Sequence, residues 1–384
     1  MKPISNLIVK MKPSGIREYF NYASERPEVV SLGVGEPDFT TPLPIIEAGK
    51  DSLSRGKTFY TSNQGLPSLR RRISNYLFNR FDINYDADEM ILTAGSSQGI
   101  LAALMSIINP GDEIIVTEPT YICYIPDIEM CGGKAVVIPL KEENNFKLTK
   151  EELVKYITPH TKAVFLSFPN NPTGAIMTKK DLEDIAPIIL ENDLYVISDE
   201  IYAELTYTGK HCSIASLPGM KERTILINGF SKAFAMTGWR LGFVCAPKHI
   251  LDQILKIQQY MTLSAPTVAQ YAAKVALDDC IPDVENMCAE YNRRREYLLS
   301  SFKELGIKCF DAEGAFYLFP SIKKFGLSSR DFALKLLNEY NVLVVPGTAF
   351  GDSGEGYVRI SYAASMDRLK FFVDALKRLN KEPK

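Results

Sequence analysis

From about residue 88 to 245, short apolar runs alternate with stretches of helical periodicity, the pattern of a predominantly parallel sheet with helices on both faces. The runs cover 90–93, 113–117, 135–138, 163–168, 194–198, 224–228 and 241–245. They predict an α/β fold with a mostly parallel seven-stranded sheet. Several runs lead into polar or glycine clusters: Gly95-Ser96-Ser97, Asn170-Asn171-Pro172, Asp199-Glu200 and Ser231-Lys232. In open α/β sheets ligands sit in the crevice beyond the carboxyl ends of the strands, so these clusters are expected along one edge.

After about residue 282 the rhythm changes. A helical pattern through 291–302 leads to apolar runs at 315–319, 342–345 and 357–361, with helical segments near 331–340 and 366–379. This predicts a smaller α+β domain at 282–384 after a large domain at 46–281. The segment 1–45, with the irregular stretch Gly33-Val-Gly-Glu-Pro-Asp-Phe39, is expected to cover the crevice and join the small domain. A chain of 384 residues agrees with two domains, since single cores stop growing at roughly 250–300 residues.

Composition removes several function classes. Hydrophobic residues at 46% and charged residues at 23% are globular values and exclude a disordered or fibrous chain. A net charge of -2 argues against nucleic acid as the main partner. The triplets Arg70-Arg71-Arg72 and Arg293-Arg294-Arg295 fall in helical patterns and are expected to form solvated faces. Seven cysteines without a C-x-x-C pair read as a reduced protein, and three scattered histidines, His160, His211 and His249, predict no metal site. No apolar run approaches the roughly eighteen residues needed to span a bilayer, so the cytoplasm is the expected compartment.

The most informative segment is Asn228-Gly-Phe-Ser-Lys-Ala-Phe-Ala-Met-Thr-Gly-Trp-Arg-Leu-Gly242, which follows an apolar run and carries Lys232 and Arg240. Most lysines are solvated surface charges. A lysine amine in a desolvated site, however, forms Schiff bases with carbonyl cofactors, and a nearby arginine suits a phosphate. Gly95-Ser96-Ser97 opens a helical pattern, so free backbone N–H groups there make an anion site to which Ser231 and Arg240 could add donors. Asp199 ends a buried run, where it caps a helix or pairs with a protonated pyridine nitrogen. Tyr202 and Asn171 have plain readings as a core residue and a turn residue. Together, in this order, they make an active site.

Phe168-Pro-Asn-Asn-Pro-Thr-Gly174, Ser198-Asp-Glu-Ile-Tyr202, Ser231-Lys232, Gly238-Trp-Arg240 and Tyr357-Val-Arg-Ile-Ser-Tyr362 occur in the order seen in the class I, fold type I aminotransferases that depend on pyridoxal 5'-phosphate. The chain resembles that family over nearly its whole length, and most closely its microbial aspartate, aromatic and N-acetyl-diaminopimelate branch. The resemblance implies that Lys232 bonds to the cofactor, Asp199 pairs with its ring nitrogen, and Asn171 and Tyr202 bind its phenolic oxygen. It implies that Tyr121 stacks on the ring and that Gly95, Ser96, Ser97, Ser231 and Arg240 hold the phosphate. Arg359 would clamp the substrate α-carboxylate beside Asn171 and Gly35, and Tyr60 would reach the phosphate of a partner in a homodimer. Gly229 stands where some members carry a hydroxyl, so one phosphate contact is expected to be missing.

The expected activity is therefore ping-pong transamination between an L-amino acid and a 2-oxo acid such as 2-oxoglutarate. The rival on the same scaffold is a carbon-sulfur lyase, which would release pyruvate and ammonia from cystathionine. A cofactor-sensing regulator is less well matched, because such proteins add a DNA-binding region. Some aspartate aminotransferases bind the distal carboxylate with an arginine shortly before a proline, here Pro266. No arginine occurs between Arg240 and Arg293, and 258–263 is neutral and partly aromatic, which predicts acceptance of aromatic donors with aspartate as the competing one.

Overall fold

The computed structural model describes residues 2–11, 13, 15, 16 and 26–381. After a short first strand, β1 (Val30–Ser31), all seven apolar runs become strands of one sheet. These are β2 (Met90–Thr93), β3 (Glu113–Glu118), β4 (Lys134–Pro139), β5 (Thr161–Ser167), β6 (Tyr195–Asp199), β7 (Thr224–Gly229) and β8 (Gly242–Cys245). Their order is β2-β8-β7-β6-β5-β3-β4. Only β8 runs antiparallel to its neighbours.

The runs are continuously apolar because both faces of the sheet are covered. Along β6, Val196 enters a core shared with the helix Lys179–Glu191, while Ile197 points to the opposite core with the helices Ser96–Ile107 and Lys248–Met261. Register then sets the ends level. Ser167 pairs with Asp199, and Asp199 with Ile227, so the chain leaves β5, β6 and β7 at one edge.

The remaining strands are β9 (Tyr317–Leu318), β10 (Val342–Leu343), β11 (Val345–Pro346) and β12 (Val358–Ser361). β12 lies between β11 and β9 in a three-stranded antiparallel sheet, and β10 pairs in parallel with β1. The helices Ile281–Glu304, Ser329–Tyr340 and Met366–Leu379 pack on these strands in a core of their own. The stretch 33–39 is neither helix nor strand.

The arginine triplets depart from expectation. Arg71 and Arg293 are exposed, but Arg70, Arg294 and Arg295 are buried. Each finds acceptors at a place distant in sequence: Arg70 the carbonyl of Ala87, Arg294 both oxygens of Asp38 at 2.8 and 2.9 Å, and Arg295 the carbonyl of Ala312 at 2.9 Å. A buried guanidinium has to be paired in this way. Arg294 thereby fastens the segment around Asp38 to the long helix Ile281–Glu304.

Candidate active site

At the carboxyl edge of the large sheet lies a cleft of about 780 Å³. Its first wall follows from β2. The chain turns at Gly95, whose φ of +83° favours glycine, and the helix Ser96–Ile107 starts at once without a side-chain cap. Its first N–H groups are thus left for a ligand, with the positive end of the helix dipole behind them. Across from them stands Arg240, itself in the left-handed region at φ +54°. A Cβ on Gly95 would run into the Arg240 guanidinium, so glycine is what allows the two to approach. Arg240 donates to the carbonyl of Thr237 at 2.9 Å, and no carboxylate among the described residues pairs with it. Ser96, Ser97 and Ser231 line the same end of the cleft.

The second wall carries an amine and a carboxylate. Lys232, in the turn after β7, donates from Nζ to the carbonyl of Gly35 at 2.5 Å. Burial brings its pKa down to about 8; the charges of Arg359 and Arg240 act in the same direction, while Glu36 and Asp199 oppose them. Asp199, the last residue of β6, is buried, and burial pushes its carboxyl up to about 6. Hydrogen bonds from the Tyr124 hydroxyl to Oδ2 at 2.8 Å and from the Ile201 N–H to Oδ1 at 3.1 Å favour the anion against that trend.

The third wall brings Arg359 of β12 against the loop that follows β5. Its Nη1 donates to Asn171 Oδ1 at 3.0 Å and its Nη2 to the carbonyl of Gly33. The guanidinium lies between the rings of Tyr317 and Phe350, with centroids 4.5 and 4.7 Å away. Arg359 is 2% exposed, its Nε has no hydrogen-bond partner, and no carboxylate among the described residues pairs with it. Tyr202 and Tyr317 share a hydrogen bond of 2.8 Å between their hydroxyls, and Tyr121 lines the cleft with its hydroxyl held protonated by burial.

Of the site residues expected from the sequence, Tyr60 and Gly95 do not line this chain's cleft: Tyr60 is 79% exposed, and Gly95 borders the cleft through its close approach to Arg240. Gly229 has a packing role that the motif did not reveal. A Cβ there would lie 2.9 Å from Gly242 Cα on the paired strand. Tyr124 and Tyr317 were not singled out, because in sequence they read as core aromatics. Their hydroxyl partners lie 75 and 115 residues away.

A carbonyl-reactive amine, a buried carboxylate, a phenol donor and an anion cradle in one cleft are the groups that pyridoxal 5'-phosphate requires, one for each of its polar corners. The sequence comparison agrees. Residues 27–376 match the family model described as aminotransferase class I and II. The chain is 45% identical to an aspartate aminotransferase of Pyrococcus abyssi and 44% identical to aromatic-amino-acid aminotransferase 2 of Thermococcus litoralis, each over 99% of both chains. The solved structure of the aspartate aminotransferase from Thermus thermophilus with maleate superposes with a TM-score of 0.95 at 36% identity, covering 99% of this chain and 100% of that one. The chain belongs to the class I and II aminotransferases. It is a transaminase dependent on pyridoxal 5'-phosphate.

Proposed function

We propose that this transaminase moves the amino group of aromatic L-amino acids to 2-oxoglutarate, with aspartate as the competing donor. The observation that carries the site assignment is Arg359. A buried arginine without an anionic partner is costly to maintain, and a substrate α-carboxylate supplies the missing charge. Two parallel hydrogen bonds from its guanidinium fix the substrate's orientation and turn its Cα–H toward Lys232.

When bound, pyridoxal 5'-phosphate supplies an aldehyde that condenses with amines and a ring that takes up the electron pair left at Cα. The chain does the rest. Lys232, its pKa brought down to about 8 by burial, would be the amine that bonds the cofactor's aldehyde carbon with loss of water and, once substrate takes its place, the base that accepts and returns the Cα proton. Asp199 would hold a proton on the ring nitrogen, and the Tyr202 hydroxyl and the Asn171 amide would donate to the phenolic oxygen. Tyr121 would stack on the ring. The backbone at Gly95, the hydroxyls of Ser96, Ser97 and Ser231, and Arg240 would hold the phosphate, and Gly35 would lie beside the substrate carboxylate. One site serves both half-reactions in turn, so the kinetics are ping-pong.

The donor preference rests on charge. No arginine occurs between Arg240 and Arg293, and Tyr260, Met261 and Leu263 present uncharged surface. A second substrate carboxylate would lie there without a cation, whereas an aromatic ring packs without electrostatic cost. Measuring kcat/KM for phenylalanine, tyrosine, aspartate and alanine with 2-oxoglutarate tests this. Phenylalanine and tyrosine should match or exceed aspartate; an aspartate preference above about a hundredfold contradicts the proposal.

The same reading makes the active unit a homodimer. Phe59, Tyr60 and Tyr260 are 81%, 79% and 93% exposed, an unusual display of aromatic surface. Their loops are joined: Thr267 donates to the carbonyl of Phe59 at 2.7 Å, and Asn63 to that of Leu263 at 2.9 Å. A second copy covering this surface brings Tyr60 to its neighbour's phosphate. Co-expression of Lys232→Ala and Tyr60→Ala chains, each inactive alone, should restore part of the activity through hybrid dimers with one intact site. A fully active monomer in sedimentation contradicts it. The reading also divides the chain at residues 45 and 281 and assigns it to the cytoplasm, in keeping with seven unpaired cysteines.

A further inference from the structure

Asp199 is held on its far side by a feature that no motif announces. The register of β5 and β6 sets Ser167 directly beside Asp199, and the Tyr124 hydroxyl bridges the two. It lies 2.8 Å from Asp199 Oδ2 and 2.8 Å from Ser167 Oγ. A phenol has one hydrogen. Since the carboxylate can only accept, that hydrogen points to Asp199, and the Ser167 hydroxyl must donate to Tyr124. Both donors therefore run in one direction, from Ser167 through Tyr124 to Oδ2. The Ile201 N–H occupies Oδ1.

The rest of the tyrosine packs in the core, and its hydroxyl is the group left for Asp199. Tyr124 is fully buried at the start of the helix Tyr124–Met130, with its ring 4.2 Å from that of Phe165 and edge-on to Tyr121 at 5.7 Å. We infer that Tyr124, oriented by Ser167, is a positioning residue that keeps Asp199 ionised and aimed at the cofactor's ring nitrogen. This rests on the assignment of Asp199 proposed above.

The direction of the effect follows from what surrounds Asp199. Burial and the neighbouring Glu200 favour the neutral carboxyl, whereas Tyr124, Ile201 and Lys232 favour the anion. Cys123 and Tyr121, also near, stay protonated through burial, so neither adds charge. Removing the phenol removes the donor that most favours the anion. The carboxyl then takes up its proton at higher pH, and a protonated Asp199 cannot pair with a protonated ring nitrogen.

The test measures the affinity of cofactor-free protein for pyridoxal 5'-phosphate between pH 5 and 9, together with the pH profile of kcat/KM for the loaded enzyme. Wild-type affinity should fall as Asp199 is protonated, below about pH 6. In Tyr124→Phe that fall should begin about one unit higher, a tenfold change in proton affinity, and the acid limb of kcat/KM should move the same way. The cofactor's own phosphate titrates alike in both proteins and cancels. Ser167→Ala should shift both curves less, in the same direction. Adding Tyr124→Phe to Asp199→Asn should change nothing further. Superimposable curves for Tyr124→Phe and wild type, with Asp199→Asn impaired, overturn the role of Tyr124 alone. An unimpaired Asp199→Asn overturns the assignment of Asp199 and this inference with it.

Discussion

Lys232→Ala should abolish transamination, lowering kcat by on the order of ten-thousandfold or more, while the protein still folds and takes up pyridoxal 5'-phosphate. The expected loss is large because, in the proposed mechanism, one amine does two jobs, capturing the cofactor and carrying the Cα proton. The fold should survive because the Lys232 side chain makes one hydrogen bond among the described residues, to the Gly35 carbonyl, and lies in a turn rather than in a strand. Binding should survive because the phosphate cradle of Arg240 and the helix starting at Ser96 is independent of the lysine. Turnover with a good donor, and cofactor absorbance retained through gel filtration, check the two halves. Turnover near the wild-type rate would remove Lys232 from the chemistry.

Asp199→Asn should have the next largest effect. The amide keeps the shape but loses the charge that, in the proposed role, holds the ring nitrogen protonated. Breaking a charge pair in a shielded site costs about 2 to 5 kcal/mol, and if all of it falls on the transition state kcat drops by roughly tens to thousands of times. The substitution also costs a hydrogen bond, since Tyr124 and Ile201 each donate to a carboxylate oxygen and an amide offers only one acceptor. An unchanged kcat in the asparagine variant excludes the assigned role.

The large sheet was legible in the sequence because its strands are covered on both faces. Such strands read as uninterrupted apolar runs, and the segment 90–93 was bounded as it folds. The run 342–345 was less legible, because the chain there serves two sheets: β10 pairs with β1, β11 with β12, and Val344 lies between them. The helical pattern also misplaced Arg70, Arg294 and Arg295 on solvated faces, because their acceptors come from distant segments.

The site was legible where its groups sit at strand ends, as Asp199, Ser231 and Lys232 do. It was illegible where two buried hydroxyls meet across the fold. Nothing local to Tyr124 or Tyr317 distinguishes it from a core aromatic; the register of β5 against β6 sets Ser167 beside Asp199, and Tyr124 reaches both from the helix Tyr124–Met130. Gly229 was read in part, from its motif alone. Its local motif pointed to a missing phosphate contact, and the structure adds a packing reason for the glycine, since its strand partner Gly242 leaves little room for a side chain.

Borohydride reduction of the holoenzyme followed by peptide mass mapping tests the central claim most directly, because reduction fixes the cofactor to the amine that holds it. The peptide containing Lys232 should carry the added pyridoxyl phosphate mass, and the other lysines should not. Modification of a different lysine, or of none, would contradict the account.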